Sequence, residues 1–166
     1  MEWIDSAGGP LILIGKVHSA EWSGSFDDYN RACEVDGVGI IPATADGRTG
    51  SEVISLWGEP LSTSLMEDLG VVVQWQYAES EHELMSLIRE RIGTLDWQVV
   101  GEYESNGKFV VFDAASSAQE VGPSDSIQGF WPIGHGIIQV ADITEADSSA
   151  RIIRFDIDGP SVVAGG

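Results

Sequence analysis

Across 166 residues the chain carries 27 acidic and 8 basic side chains, a formal net charge of −19, on a composition that is 43% hydrophobic with a mean hydropathy of +0.02. Such a field repels nucleic acid and anionic lipid and attracts basic proteins; no run approaches the ~20 apolar residues of a membrane span. A chain of this length can bury roughly 70% of its unfolded surface without a disulfide or a metal.

LILI (11–14) follows the turn AGGP and reads as a buried strand. FDDYNRACEVDG (26–37) predicts a short helix over about 28–34, capped by Asp27 or Asp28. Tyr29, Ala32 and Cys33 would share one side of it, and Arg31 would reach Asp27 and Asp28 at helical spacing. VGII (38–41) and EVISLW (52–57) read as strands, stopped by Pro42 and by the turn GEP. VVVQWQY (71–77) alternates with period two, with Val71, Val73, Trp75 and Tyr77 on one face and Val72, Gln74 and Gln76 on the other. The period then changes. Ser80 and Glu83 form a capping box, Leu84, Leu87, Ile88 and Ile92 an apolar stripe, and Arg89 and Arg91 suit a helix C-terminus before Gly93. The main helix is therefore expected over about 81–92.

WQVVGEYESNGKFVVFD reads as a β-hairpin turning at Asn106-Gly107. A small, polar linker follows over 114–129, then a second hairpin of GIIQVADI and ARIIRFDI across TEADSS. The expected class is α+β, mostly antiparallel β-sheet of about eight strands with one main and one short helix. The whole forms a single α+β domain over 1–160, with a core region 1–113, the linker 114–129, a C-terminal hairpin 130–158 and a flexible tail 161–166.

No catalytic residue, metal or cofactor is assigned. The neighbours of Cys33 in sequence are mostly acids, which raise a thiol pKa where a nucleophile needs it lowered. His18, His82 and His135 lie far apart, without metal-ligand spacing. DIDG (156–159) lacks the third acid and closing Glu of a calcium loop, and no phosphate-binding glycine loop or nucleophile elbow is present. The single cysteine cannot make an internal disulfide, and MEWIDSAGGP has neither the basic start nor the apolar core of a signal peptide, so a cytoplasmic protein is expected.

The acids are then the main feature. One candidate contact surface is Glu21, Asp27, Asp28, Glu34 and Asp36 around Trp22, a tryptophan flanked by small and acidic residues as interface anchors are. The alternative is a tryptophan packed under its own loop. Glu79, Glu81 and Glu83 form a second candidate patch. Solubility or adaptation to a salty host would equally account for the acidity. A small hydrolase using Cys33 or an acid pair, or an acidic module for some other basic protein, are the alternative functions.

WIDSAGGPLILI, FDDYNRACEVDGVGII, EVISLWGEPLSTS, VVVQWQYAES and GKFVVFDAA, in this order from Trp3 to Asp113, resemble the immunity protein 21 family; the last hairpin resembles its terminal segment more loosely. The resemblance implies a non-catalytic inhibitor of a bacterial polymorphic toxin, held in the cytoplasm, with a cognate toxin domain as partner. A basic nuclease is one toxin class that an acidic inhibitor would fit. The matching positions are Trp3, Gly8, Gly9, Pro10, Asp28, Tyr29, Arg31, Cys33, Gly58, Glu59 and Pro60. Many are turn formers or core residue types, which mark a fold more readily than a toxin-contacting surface.

Overall fold

The segment LILIG, Leu11–Gly15 (β1), is buried at every position, which requires cover on both faces of the strand. In the computed structural model, which describes residues 1–57 and 61–159, β1 is the middle strand of a five-stranded antiparallel sheet. Val38–Pro42 (β2) and Glu52–Leu56 (β3) lie on one side of it, Lys108–Asp113 (β7) and Ser126–Phe130 (β8) on the other, in the order β2-β3-β1-β7-β8. A second antiparallel sheet contains Ser62–Met66 (β4), Val71–Tyr77 (β5), Gln98–Ser105 (β6), Gly134–Glu145 (β9) and Ser148–Asp156 (β10), in the order β4-β5-β10-β9-β6.

Alternation distributes the side chains into three cores. Leu11, Leu13, Ile54, Leu56 and Val111 face Val72, Ile138 and Ile153 between the sheets. Ile12, Ile14, Val53, Val110 and Phe112 point outward beneath Phe26–Cys33 (α1) and its flanking loops, through Trp22, Ala32 and Tyr29. Val71, Val73, Ala150 and Ile152 point the other way beneath Glu81–Arg91 (α2), through Leu84, Met85 and Ile88. The two helices therefore cover opposite outer faces of a two-sheet sandwich.

The expected class holds, with ten strands among the described residues where about eight were anticipated. The additional two, STSLM (β4) and SIQGF (β8), are the edge strands of their sheets, β4 meeting only a single bridge, Ile4↔Thr63, on its outer side. Both mix serine or glycine with few apolar residues, so neither shows a buried strand's hydrophobic run. β8 lies largely inside the stretch read as a linker, and Ala118 and Val121 of that stretch pack over the first sheet.

The helix boundaries follow from their caps. Ser80 Oγ accepts from Glu83 N–H (3.2 Å), as anticipated, and a 3-10 turn, Ile92–Thr94, takes in Gly93. α1 begins earlier than expected because Ser25, not Asp27 or Asp28, is its N-cap, accepting from Asp28 N–H at 3.2 Å. That leaves Asp27 and Asp28 in the first turn, where carboxylates suit the helix dipole.

The first hairpin is a correction: β6 and β7 belong to different sheets, and Asn106-Gly107 is the corner between them. A type I′ hairpin needs positive φ at both turn residues; here Gly107 has φ +95° and Asn106 does not. Tyr103 and Phe109, on either side of the corner, both sink into the core between the sheets. The carbonyl of Gly107 instead accepts from Trp131 N–H (3.0 Å). The second hairpin forms as expected, in register from Ser148↔Glu145 to Asp156↔Ile137. Gly58, Glu59 and Pro60, and the tail 161–166, lie outside the described residues.

Candidate functional site

Around α1 the side chains form a clasp. Asp28 Oδ1 accepts from Arg31 Nη2 (2.7 Å), and its Oδ2 accepts from Ser23 N–H (2.9 Å) and Ser23 Oγ–H (2.7 Å). Burial alone would raise the Asp28 pKa; the hydrogen bonds from Arg31 and Ser23 outweigh it and hold the carboxyl below its ordinary value. Arg31 continues to the carbonyls of Pro42 (2.6 Å) and Ala43 (3.3 Å), with its guanidinium 5.4 Å from the Trp22 ring centre. Trp22 is fully buried, and its Nε1–H donates to the Ala114 carbonyl (3.0 Å).

Among the other described motif residues, Gly9 and Tyr29 pack beside the same clasp and Trp3 packs beneath α2. A Cβ on Gly9 would lie 2.5 Å from the Tyr29 ring, so the ring sits directly on that glycine. The neighbouring Cys33 side chain is the main cause that raises the Tyr29 phenol pKa, and Cys33 itself is half-buried. Gly8 is exposed, while Pro10 is buried with its carbonyl accepting from Ala114 N–H (3.0 Å). Beneath α2, Trp3 stacks edge-on against Trp75 (5.2 Å), and its Nε1–H donates to Glu81 Oε1 (2.9 Å), which lowers the Glu81 pKa.

Two contact candidates are therefore corrected. Trp22 is a core residue, because α1 and its approach fold over it, and Asp28 is buried under Arg31 and Ser23; neither carries an exposed group. Asp27, Glu34 and Asp36 are exposed on or just after α1, and Glu79 and Glu83 at the start of α2, with Glu81 half-buried. The helices cover opposite faces, so these are two separate patches. Glu21 belongs elsewhere: it lies 3.2 Å from His18 Nδ1 and accepts from Ser51 Oγ–H (2.5 Å).

That contact leads to a cleft of about 200 Å³ at one end of the sandwich, where β3 begins and β6 ends. Ser51, Glu52, Tyr103 and Asn106 line it, with His18 and Thr49 at the rim side of Glu21. Glu52 shares its strand face with Ile54, which packs between the sheets, so alternation turns Glu52 toward the same mouth. The Tyr103 ring is wedged edge-on against Trp131 (6.4 Å) and Phe155 (6.1 Å), leaving the residue 5% exposed. Burial first, and the charge of Glu52 second, push its phenol pKa up to about 12.

Glu52 is exposed as a residue, yet the protein around its carboxyl is enough to raise its pKa, partly offset by His135. Among the described residues no cation pairs with Glu52; His18 and His135 are turned to Glu21 and to Glu102 (3.7 Å). An acceptor-rich cleft of this kind can hold a donor-bearing cation. Sequence reasoning took Glu52 only as a strand start and Tyr103 as part of a hairpin. The inward phase of Glu52 was readable from its spacing to Ile54; its nearness to Tyr103 depends on how the sheets stack. A second, apolar groove of about 400 Å³ runs between the edges β4 and β8, past Leu65, Phe109, Phe130 and Trp131. No group of three or more His, Cys, Asp or Glu placed to hold a metal occurs among the described residues, and none of their helices is long and apolar enough to cross a membrane.

A family model described as immunity protein 21 matches residues 2–153. The chain belongs to the immunity protein 21 family. No curated protein and no solved structure matches it. The match reaches from the Trp3 contact beneath α2 into β10, so the clasp, both helices and the cleft all lie inside the immunity protein 21 region. In this member of the family the residues of AGGP and DYNRAC make packing and clasp contacts at α1, while the cleft draws on Glu52 and Tyr103.

Proposed function

We propose that this immunity protein 21 binds a cognate bacterial toxin domain in the cytoplasm and neutralises it by covering the surface with which the toxin acts, performing no chemistry itself. Family membership supplies the function class. The charge distribution is the observation that carries the mode of action. Arg31, Arg48, Arg89, Arg91 and Arg151 are each paired with a carboxylate inside the molecule, and most acids among the described residues have no cationic partner. Such a surface suits a partner with a basic cleft, such as a nuclease, and its field raises the encounter rate by up to about 10³-fold. Asp27, Glu34 and Asp36 form the contact patch in this reading, with Glu21 beside the cleft; Glu79, Glu81 and Glu83 form a second patch on the opposite face.

The test is co-expression with the toxin domain encoded beside this protein. Growth rescue together with co-purification of the two chains is expected. Cell death despite abundant soluble protein would overturn the proposal, and so would rescue accompanied by chemical modification of the toxin.

A further inference from the structure

We propose that the cleft between Glu52 and Tyr103 is a socket for one arginine side chain of the partner protein, an inference that rests on the binding role proposed above. Two independent features point to such a ligand. The first is Glu52, a carboxylate turned toward the mouth of the sandwich with no cation paired to it among the described residues. The second is Tyr103, nine-tenths buried, locked by Trp131 and Phe155, and lining the cleft without a hydrogen bond from its hydroxyl to any described residue. The Tyr103 hydroxyl is not among the buried atoms that lack a partner, so it opens onto the cleft, where a donor on a ligand can reach it.

The shape and chemistry of the space select the ligand. At about 200 Å³ it is smaller than the sites that hold drug-sized molecules, and on the scale of one side chain. Its acceptors include the Glu52 and Glu104 carboxylates, the Tyr103 hydroxyl, the Asn106 amide oxygen and the Thr49 hydroxyl, contributed by different segments. A guanidinium presents five N–H donors in a rigid fork and satisfies several acceptors at once, where an ammonium offers three donors from one point. Ser51 is already engaged by Glu21 and Thr49, which holds that wall in place. The nearby histidines make their close contacts with other carboxylates, His18 with Glu21 and His135 with Glu102, so that His135 offsets the Glu52 charge only from a distance.

The experiment titrates isotope-labelled full-length protein with Nα-acetyl-arginine amide, and in parallel with Nα-acetyl-citrulline amide, a neutral molecule of nearly the same shape, following amide resonances by NMR. Saturable shifts centred on Ser51, Glu52, Tyr103 and Asn106 are expected with the arginine probe alone. Glu52→Gln should weaken binding at least about threefold, whereas Glu90→Gln, the same charge change on the exposed side of α2, should leave it as it was. Tyr103→Phe should weaken binding comparably while keeping the melting temperature of the parent, an outcome that a purely structural tyrosine would not give. Shifts scattered over the acidic surface, or equal behaviour of Glu52→Gln and Glu90→Gln, would overturn the socket. Because the probe is no toxin, a negative result leaves growth rescue by the wild-type chain standing, and a failed rescue leaves arginine binding in the cleft standing.

Discussion

Replacing Asp28 with alanine tests whether the DYNRAC segment is a structural clasp. The substitution removes three hydrogen bonds at 2.7, 2.7 and 2.9 Å, one of them from a guanidinium. It also leaves the Ser23 N–H without its acceptor and Arg31 as a partly buried cation whose Nε already has no partner. Charge-assisted hydrogen bonds contribute about 1.5–3 kcal/mol each, and breaking a buried pair by removing one member costs about 3–5 kcal/mol. Arg31 keeps the Pro42 and Ala43 carbonyls, and its side chain is 21% exposed, so water recovers part of the loss. A destabilisation of about 3 kcal/mol is expected, equivalent for a domain of this size to a fall in Tm of roughly 6–12 °C. Urea unfolding followed by tryptophan fluorescence reads it, since Trp22 lies under the Arg31 guanidinium. The Arg31→Ala and double variants complete a thermodynamic cycle, in which the double change should cost clearly less than the sum of the two. A loss under about 1 kcal/mol, or simple additivity, would show that the clasp does not hold α1 down.

Gly9→Ala should cost about 1–3 kcal/mol in thermal melts, because its Cβ would meet the Tyr29 ring at 2.5 Å; Tyr29→Leu in the same chain should restore part of it. Tyr103 gives an alkaline signature: its folded pKa, about 12, lies above the unfolded value near 10, so the folded state holds the proton more tightly. The stability it contributes is fully present below pH about 10 and is lost as pH rises towards about 12; Tyr103→Phe should flatten that limb in denaturation midpoints measured across the range. Asp27→Lys combined with Asp36→Lys, both exposed, should slow association with the toxin severalfold in stopped-flow mixing while the unfolding midpoint stays within about 1 kcal/mol of the parent.

What could be read from the sequence was whatever depends on local period and caps. LILI announced a strand covered on both faces, VVVQWQY assigned its two faces correctly, and Ser80 with Glu83 set the start of α2. Asn106-Gly107 misled because a turn signal reports that the chain reverses, not which sheet receives it; burial of Tyr103 and Phe109 in one core decided that. β4 and β8 were missed because edge strands, half-satisfied by pairing, need no apolar run. Trp22 looked like an anchor from its polar neighbours in sequence, yet its neighbours in space are Ile12, Ile14 and Phe112. The cleft was hidden for the same reason: Glu52 and Tyr103 come from different sheets, and only the stacking of those sheets brings them together.

The same charges that would draw a toxin also press on the fold, and salt separates the two effects. Most internal ion pairs here are solvent-exposed, such as Arg48–Asp46, Arg89–Asp68 and Arg91–Glu145, and pairs of that kind are worth about 0–1 kcal/mol each. Self-repulsion among −19 net charges acts over the whole surface, and at 0.15 M salt the screening length is about 8 Å, so distant like-charge repulsion is largely removed while buried contacts such as Asp28–Arg31 are little affected. Raising ionic strength from about 0.01 to 0.15 M should therefore increase unfolding free energy, and over the same interval it should slow toxin association by an order of magnitude or more, because the attraction is the mirror of the repulsion. Equilibrium denaturation and stopped-flow mixing in the same buffers measure the two quantities. An association rate that does not change with salt would remove electrostatic steering from the account, and a stability that falls with salt would mean that the paired arginines outweigh the excess acids.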